Sequence, residues 1–303
     1  MRDGYVVATP NLKNLNQGNA PSPTGSIGNE GLAASVFRFD SGGRNSLLWR
    51  WTMESLKTVQ WLKTRLEVIP NRIAIVGSGW AAVAAMRADE LAGGEFRAAA
   101  LIDGGGHFEL GSAWMSTLNQ LPKSESLIWR KWLDPGGQSD KIHAATLMID
   151  EVNNRLLYPN AVTETYRQIG GDKRLILLND DLPANISPRF DFAAAVKKWL
   201  DYWLMAKGSP FPVVTCSSYT RKSGIAIQVN PQGNVSPSHL FLYTTHSAST
   251  GPSQEWQVYP IQGEKGRYRI TLPVRDDFEW YVQIIYSDGV MISTPIHESR
   301  IKR

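Results

Sequence analysis

The chain has 303 residues, enough for one large domain or two ordinary ones, and its 42% hydrophobic and 20% charged content excludes a disordered polymer. A net charge of +4, spread without any long run of like charge, argues against nucleic acid as a partner. The single cysteine, Cys216, excludes an internal disulfide and a cysteine-based zinc site.

The first residues, "GYVVAT" (4–9), read as a short buried strand stopped by Pro10. Residues 11–45 are rich in Asn, Gly, Ser and Pro and read as a long loop. Residues 46–66 read as a helix, because Leu48, Trp51, Ser55, Val59, Leu62 and Leu66 recur on one face. Apolar strands then alternate with helices: strand 72–77, helix 80–90, strand 98–103, strand 143–150, helix 160–169, strand 173–179 and helix 190–207. Continuous apolar strands separated by helices predict a parallel sheet covered on both faces.

After Gly208-Ser209-Pro210 the texture changes. Strand-like segments fall at 212–219, 224–229, 238–245, 255–260, 267–272, 279–286 and 290–295, separated by turn residues such as "NPQG" and "SDG". About seven short strands at this spacing predict a β-sandwich of immunoglobulin or fibronectin type. The expected division is therefore an α/β domain over 1–208 and a β-sandwich over 209–303. No stretch has the roughly 18 apolar residues of a membrane span, and residues 1–30 hold no signal-peptide core; compartment is left open.

The segment "WLKTRLEVIPNRIAIVGSGWAA" is similar to the helix and nucleophile elbow of the α/β-hydrolase superfamily, of the acetyl-xylan-esterase and dienelactone-hydrolase kind. The stretch "KIHAATLMIDEVNNRLLYPNAVTETYRQIGGDKRLILLND" is similar to the later part of that fold, where strands lead to the acid and the histidine. With "W…DP" before it and a sandwich after it, it also resembles the PhoPQ-activated pathogenicity-related family. The resemblance implies an α/β-hydrolase-type parallel sheet lacking its first strands. One sheet edge is then left open for another protein chain or for self-association.

An elbow needs small residues two before and two after the nucleophile. Gly77 and Ala81 meet that need, which places Gly79, with no side chain, at the nucleophile position. The acid position falls on Asn154, an amide that cannot supply the charge that stabilises an imidazolium. The loop 180–187, where the histidine belongs, contains none. The resulting expectation is a hydrolase-like binding or structural subunit with a degenerate triad. The alternative is a serine esterase of acyl or carbohydrate esters, with a rearranged site built from Ser78, His107 and Asp103. His143 begins a strand at the wrong end for this, and His239, His246 and His297 belong to the C-terminal strands.

"GSG" (77–79) and "GGG" (104–106) fit neither dinucleotide nor P-loop patterns, and no regular carboxylate spacing appears. Neither a cofactor nor a metal is expected. Trp129 and Trp132 fall where hydrolases carry a cap, and Trp256, Trp280 and Tyr281 read as sandwich core.

Overall fold

The structure, a computed structural model, describes residues 4–10, 35–37, 43–154, 156–179, 190–221, 224–246, 254–264, 267–273 and 276–299. Most of the segment read as a long loop, and the loop 180–187, lie outside the described residues.

The first half is a layered α/β unit. Helix α1 (Leu47–Lys63) leads to β1 (Ala74–Ser78), α2 (Trp80–Ala92) and β2 (Ala98–Ile102). The short helices α3 (Met115–Gln120) and α4 (Lys123–Trp132) precede β3 (Ala145–Glu151), α5 (Pro159–Gln168), β4 (Lys173–Leu178) and α6 (Phe192–Met205). The four strands are parallel in the order β1-β2-β3-β4, with Ala74, Ala98 and Ala145 in register. Helix α2 lies close to the sheet because it is built of small residues: Ala82, Ala84, Ala85 and Ala88 are all buried. Helix α6 starts where Asp191 accepts the amide of Ala194 at 3.0 Å, a side-chain cap. It covers the other face, where Trp199 is buried and donates to the carbonyl of Ala145 at 3.1 Å.

Two boundaries differ from expectation. Residues 4–9 form no strand, and Val7 is 82% exposed. Two adjacent β-branched residues do not make a strand without a neighbour to pair with; Tyr5 instead donates to Asp201 of α6 at 2.6 Å. Helix α1 ends at Lys63, so Leu66 lies beyond it and is fully exposed. Among the described residues β1 pairs only with β2, and Val76 is half exposed.

The second half is all β. Its strands are β5 (Val213–Arg221), β6 (Gly224–Gln232), β7 (Pro237–His246), β8 (Gln257–Pro260), β9 (Gly263–Glu264), β10 (Arg267–Leu272), β11 (Phe278–Tyr286), β12 (Met291–Ser293) and β13 (His297–Ser299). They divide between two sheets. Four form a sheet in the order β5-β6-β10-β9. The others continue the parallel sheet past β4 as β12-β11-β7-β8, with β13 also on β11. The large sheet therefore crosses residue 208. Besides a small cluster of Val59, Ile73, Phe96 and Ala99, its two faces carry two larger apolar cores. One joins Trp199 and Ile176 to Ile227, Val282 and Ile284; the other joins Met86 and Leu101 to Tyr243 and Tyr281.

Candidate functional site

The carboxyl edge of the parallel strands concentrates the unusual backbone of this chain. Gly79 links β1 to α2 at φ 57, ψ −128, a conformation in which a Cβ would strain the backbone. Its amide donates to Ile102 at 2.8 Å, and its carbonyl accepts from Ala82 at 2.9 Å. The turn is tight because a Cβ on Gly77 would lie 2.4 Å from the carbonyl oxygen of Ala81. The sequence frame of Gly77, Gly79 and Ala81 thus corresponds to a real close approach of strand and helix. A Cβ added at Gly79 meets nothing within 4 Å, so the space beside this turn is open. Ser78 ends β1 and is exposed.

Asp103 follows β2 in the left-handed region, at φ 51. One of its carboxylate oxygens is buried with no hydrogen-bond partner among the described residues. Burial, with the charge of Glu151, raises its pKa. His107 is also left-handed, at φ 58. Its amide donates to Asp134 at 2.8 Å, and its Nδ1 lies 3.2 Å from Glu109. Burial pulls the imidazole pKa down, but the Glu109 hydrogen bond and the charges of Asp134 and Glu109 outweigh it, for a net rise. The imidazole therefore belongs to Glu109 and the Asp134 segment. No hydrogen bond or ion pair among the described residues joins Ser78, Asp103 and His107.

Asn154 closes the turn after β3. Its Nδ2 donates to Asp150 at 2.7 Å, and its Oδ1 accepts from the amide of Leu156 at 2.7 Å. Asp150 is buried, which raises its pKa well above the carboxylate range; Asn154 opposes that and Asp103 adds to it. His143 is exposed just before β3, at the opposite edge. His297 stacks on Trp280 at 4.3 Å, and burial pushes its pKa down to about 4.

Two further features, with little signal in the sequence, lie beside these residues. Asp134 accepts three buried backbone amides: His107 and Gly136 on one oxygen, at 2.8 Å each, and Phe108 on the other at 2.9 Å. Burial raises its pKa to about 6 against those three bonds. The Asp-Pro pair of "LDPGG" was the available signal, since Asp commonly binds amides that follow it. The second is an aromatic cluster on the residue after Gly79. Trp80 stacks on Phe108 at 5.3 Å and lies 6.0 Å from Trp114 and 5.9 Å from Phe37; Phe37 is 4.7 Å from Trp129. Trp129 is buried, whereas Trp132, three residues on, is half exposed. Among the described residues no helix is long and apolar enough to cross a membrane, and no cluster of side chains suited to a metal ion is found.

The chain is similar in structure to esterases of the α/β-hydrolase type. The acetyl xylan esterase of Paenibacillus sp. R4 matches over 62% of this chain and 59% of its own, at 18% identity and a TM-score of 0.43. Acetyl xylan esterase 1 of Thermoanaerobacterium sp. JW/SL YS485 matches over 60% and 59%, at 13% identity and a TM-score of 0.45. This chain thus spans 59% of the length of each. A family 56 carbohydrate-binding module, a β-1,3-glucan binding domain, matches over 29% of this chain and 99% of its own, at 11% identity and a TM-score of 0.22. No protein-family model and no curated protein matches the chain.

Proposed function

We propose that this chain is a hydrolase-type scaffold that performs no covalent catalysis and acts as a binding or structural subunit. The observation that carries the reading is Gly79, which holds a positive-φ strand-to-helix turn with no side chain to project from it. Covalent acyl transfer needs a nucleophile within reach of a base. Asn154 at the acid position binds backbone and Asp150 instead. The partner is another protein chain or a second copy, received along β1, whose far edge is unpaired among the described residues. On the same reading, residues 1–208 are the hydrolase-like part and 209–303 a β-sandwich of immunoglobulin or fibronectin kind. That Ile227 of β6 and Val282 and Ile284 of β11 belong to one apolar core supports two facing layers there.

A second reading is an esterase of acyl or carbohydrate esters through Ser78. It is favoured by the exposure of Ser78 and by Asp103 and His107 standing on the same sheet edge. A fluorophosphonate probe separates the two, read together with the mass of the purified protein by light scattering. An unlabelled chain running above its monomer mass is the expected result. Labelling that disappears in Ser78→Ala assigns the esterase instead.

A further inference from the structure

At the opposite edge of the parallel sheet, below the starts of β1, β2 and β3, lies a cavity of about 860 Å³ lined by Lys63, Arg72, Glu95, Arg97, His143 and Trp203, among others. That volume is in the range of small-ligand sites. Three successive strand starts each contribute a basic group: Arg72 precedes β1, Arg97 precedes β2 and His143 precedes β3. All three are exposed. Glu95 is the one carboxylate of the lining, and it is already paired with Lys63. No ion pair among the described residues neutralises Arg72 or Arg97. The Arg97 guanidinium lies 5.0 Å over the ring of Trp203, which holds it in place and leaves its N–H fork free.

The competing account is that these cations offset the negative ends of α1, α2 and α6, which terminate here. Backbone amides already serve carbonyls at two of those ends. Lys207 and Ala206 donate to Asp201 and Tyr202, and Thr64 and Arg65 to Trp61 and Leu62. Two free guanidinium forks facing one cavity suit a planar or tetrahedral oxyanion that accepts paired hydrogen bonds.

We infer that this cavity binds a small ligand bearing a dianionic oxyanion group, a phosphate monoester or a dicarboxylate, through Arg72 and Arg97. The inference is independent of what happens at Gly79. Calorimetric titration of the full chain at low salt, with inorganic phosphate in one arm and succinate in the other, tests it. One saturable site per chain is expected, weakened about tenfold or more in Arg72→Ala and in Arg97→Ala, and less in Arg97→Lys, which keeps the charge but loses the fork. Tighter phosphate assigns the ester class; tighter succinate assigns the dicarboxylate. Arg72 is exposed, so its variant reports on binding even if Arg97→Ala folds poorly. Absence of saturable binding in both arms overturns the inference, as does binding unchanged in Arg72→Ala. A lowered thermal midpoint in the arginine variants, with no anion bound by the parent chain, assigns the row to helix-end neutralisation.

Discussion

Gln283 on β11 donates its side-chain amide to the main-chain carbonyl of Leu177 on β4 at 2.6 Å. The amide of the same Leu177 donates to Ser293 Oγ at 3.0 Å. Backbone register between β4 and β12 is confined to Leu175 and Ser293, so side chains complete the seam where the parallel strands meet the antiparallel ones. Gln283 is fully buried, and the carbonyl it serves has no route to water.

Gln283→Ala therefore leaves a buried carbonyl unpaired, and a loss of about 1–3 kcal/mol is expected. Urea unfolding followed by tryptophan fluorescence and by far-UV dichroism measures it. Because both apolar cores run across the seam, the two halves are expected to unfold in one coincident transition. Two separated transitions in the parent chain would contradict a shared core.

Asp134 binds the loop after β2 to the segment after α4 through three amides. Removing the carboxylate in Asp134→Ala orphans all three, and the expected cost is about 3 kcal/mol or more. Asp134→Asn keeps one acceptor oxygen and should lose less. Phe108, whose amide is one of the three, stacks on Trp80, so the near-ultraviolet dichroism of the tryptophans is expected to flatten in Asp134→Ala.

The two glycines of the turn between β1 and α2 make opposite demands. At Gly77 a Cβ would strike the backbone of Ala81 and Ala82, so Gly77→Ala should separate strand from helix and cost several kcal/mol, on the order of an overpacked core. At Gly79 the space is open and the cost is only the positive φ, about 1–3 kcal/mol for Gly79→Ser. Denaturant midpoints of the two variants check the order. Gly79→Ser is expected to remain unlabelled by a fluorophosphonate, because no histidine is hydrogen-bonded toward that turn among the described residues and the sequence 180–187 contains none.

Buried carboxyls on α2 set a pH dependence. Burial raises Asp89 to about 7, and neither of its carboxylate oxygens has a hydrogen-bond partner among the described residues. Burial raises Glu90 to about 8 against the pull of Arg87, whose guanidinium lies 2.6 Å away. Both folded-state values lie above the ordinary carboxylate values. The stability they contribute is thus fully present below about pH 4 and is lost as pH rises through about 7 to 8. The thermal midpoint should fall across that window once other carboxylates have titrated. Asp89→Asn should flatten the fall, with its benefit largest at pH 8. A midpoint that rises steadily from pH 5 to 8 would contradict the raised values.

Much of the first half was legible in the residues. The continuous apolar runs at β2, β3 and β4 mark strands buried on both faces, and the small residues around Gly79 mark a strand and helix in close contact. Those are local patterns, carried by neighbours in the chain. The absence of a side chain at position 79 is also a fact of sequence alone, and so is the amide at 154. Residues 4–9 carry the same apolar, β-branched signal yet form no strand, because a β-branched pair becomes a strand only when another strand is there to accept its hydrogen bonds.

What only the tertiary structure decided is which strands of the second half join which sheet. The apolar, aromatic and β-branched runs of β7, β11 and β12 say that strands form there and are buried on both faces; they do not name the neighbour. Pairing β12 with β4 brings residues more than a hundred positions apart into contact, and the groups that secure it, Gln283 and Ser293, are polar residues with no pattern around them. The same holds for His107 and Asp134. Sequence put the imidazole on the correct edge of the sheet, and packing of the loop against the Asp134 segment turned it toward Glu109.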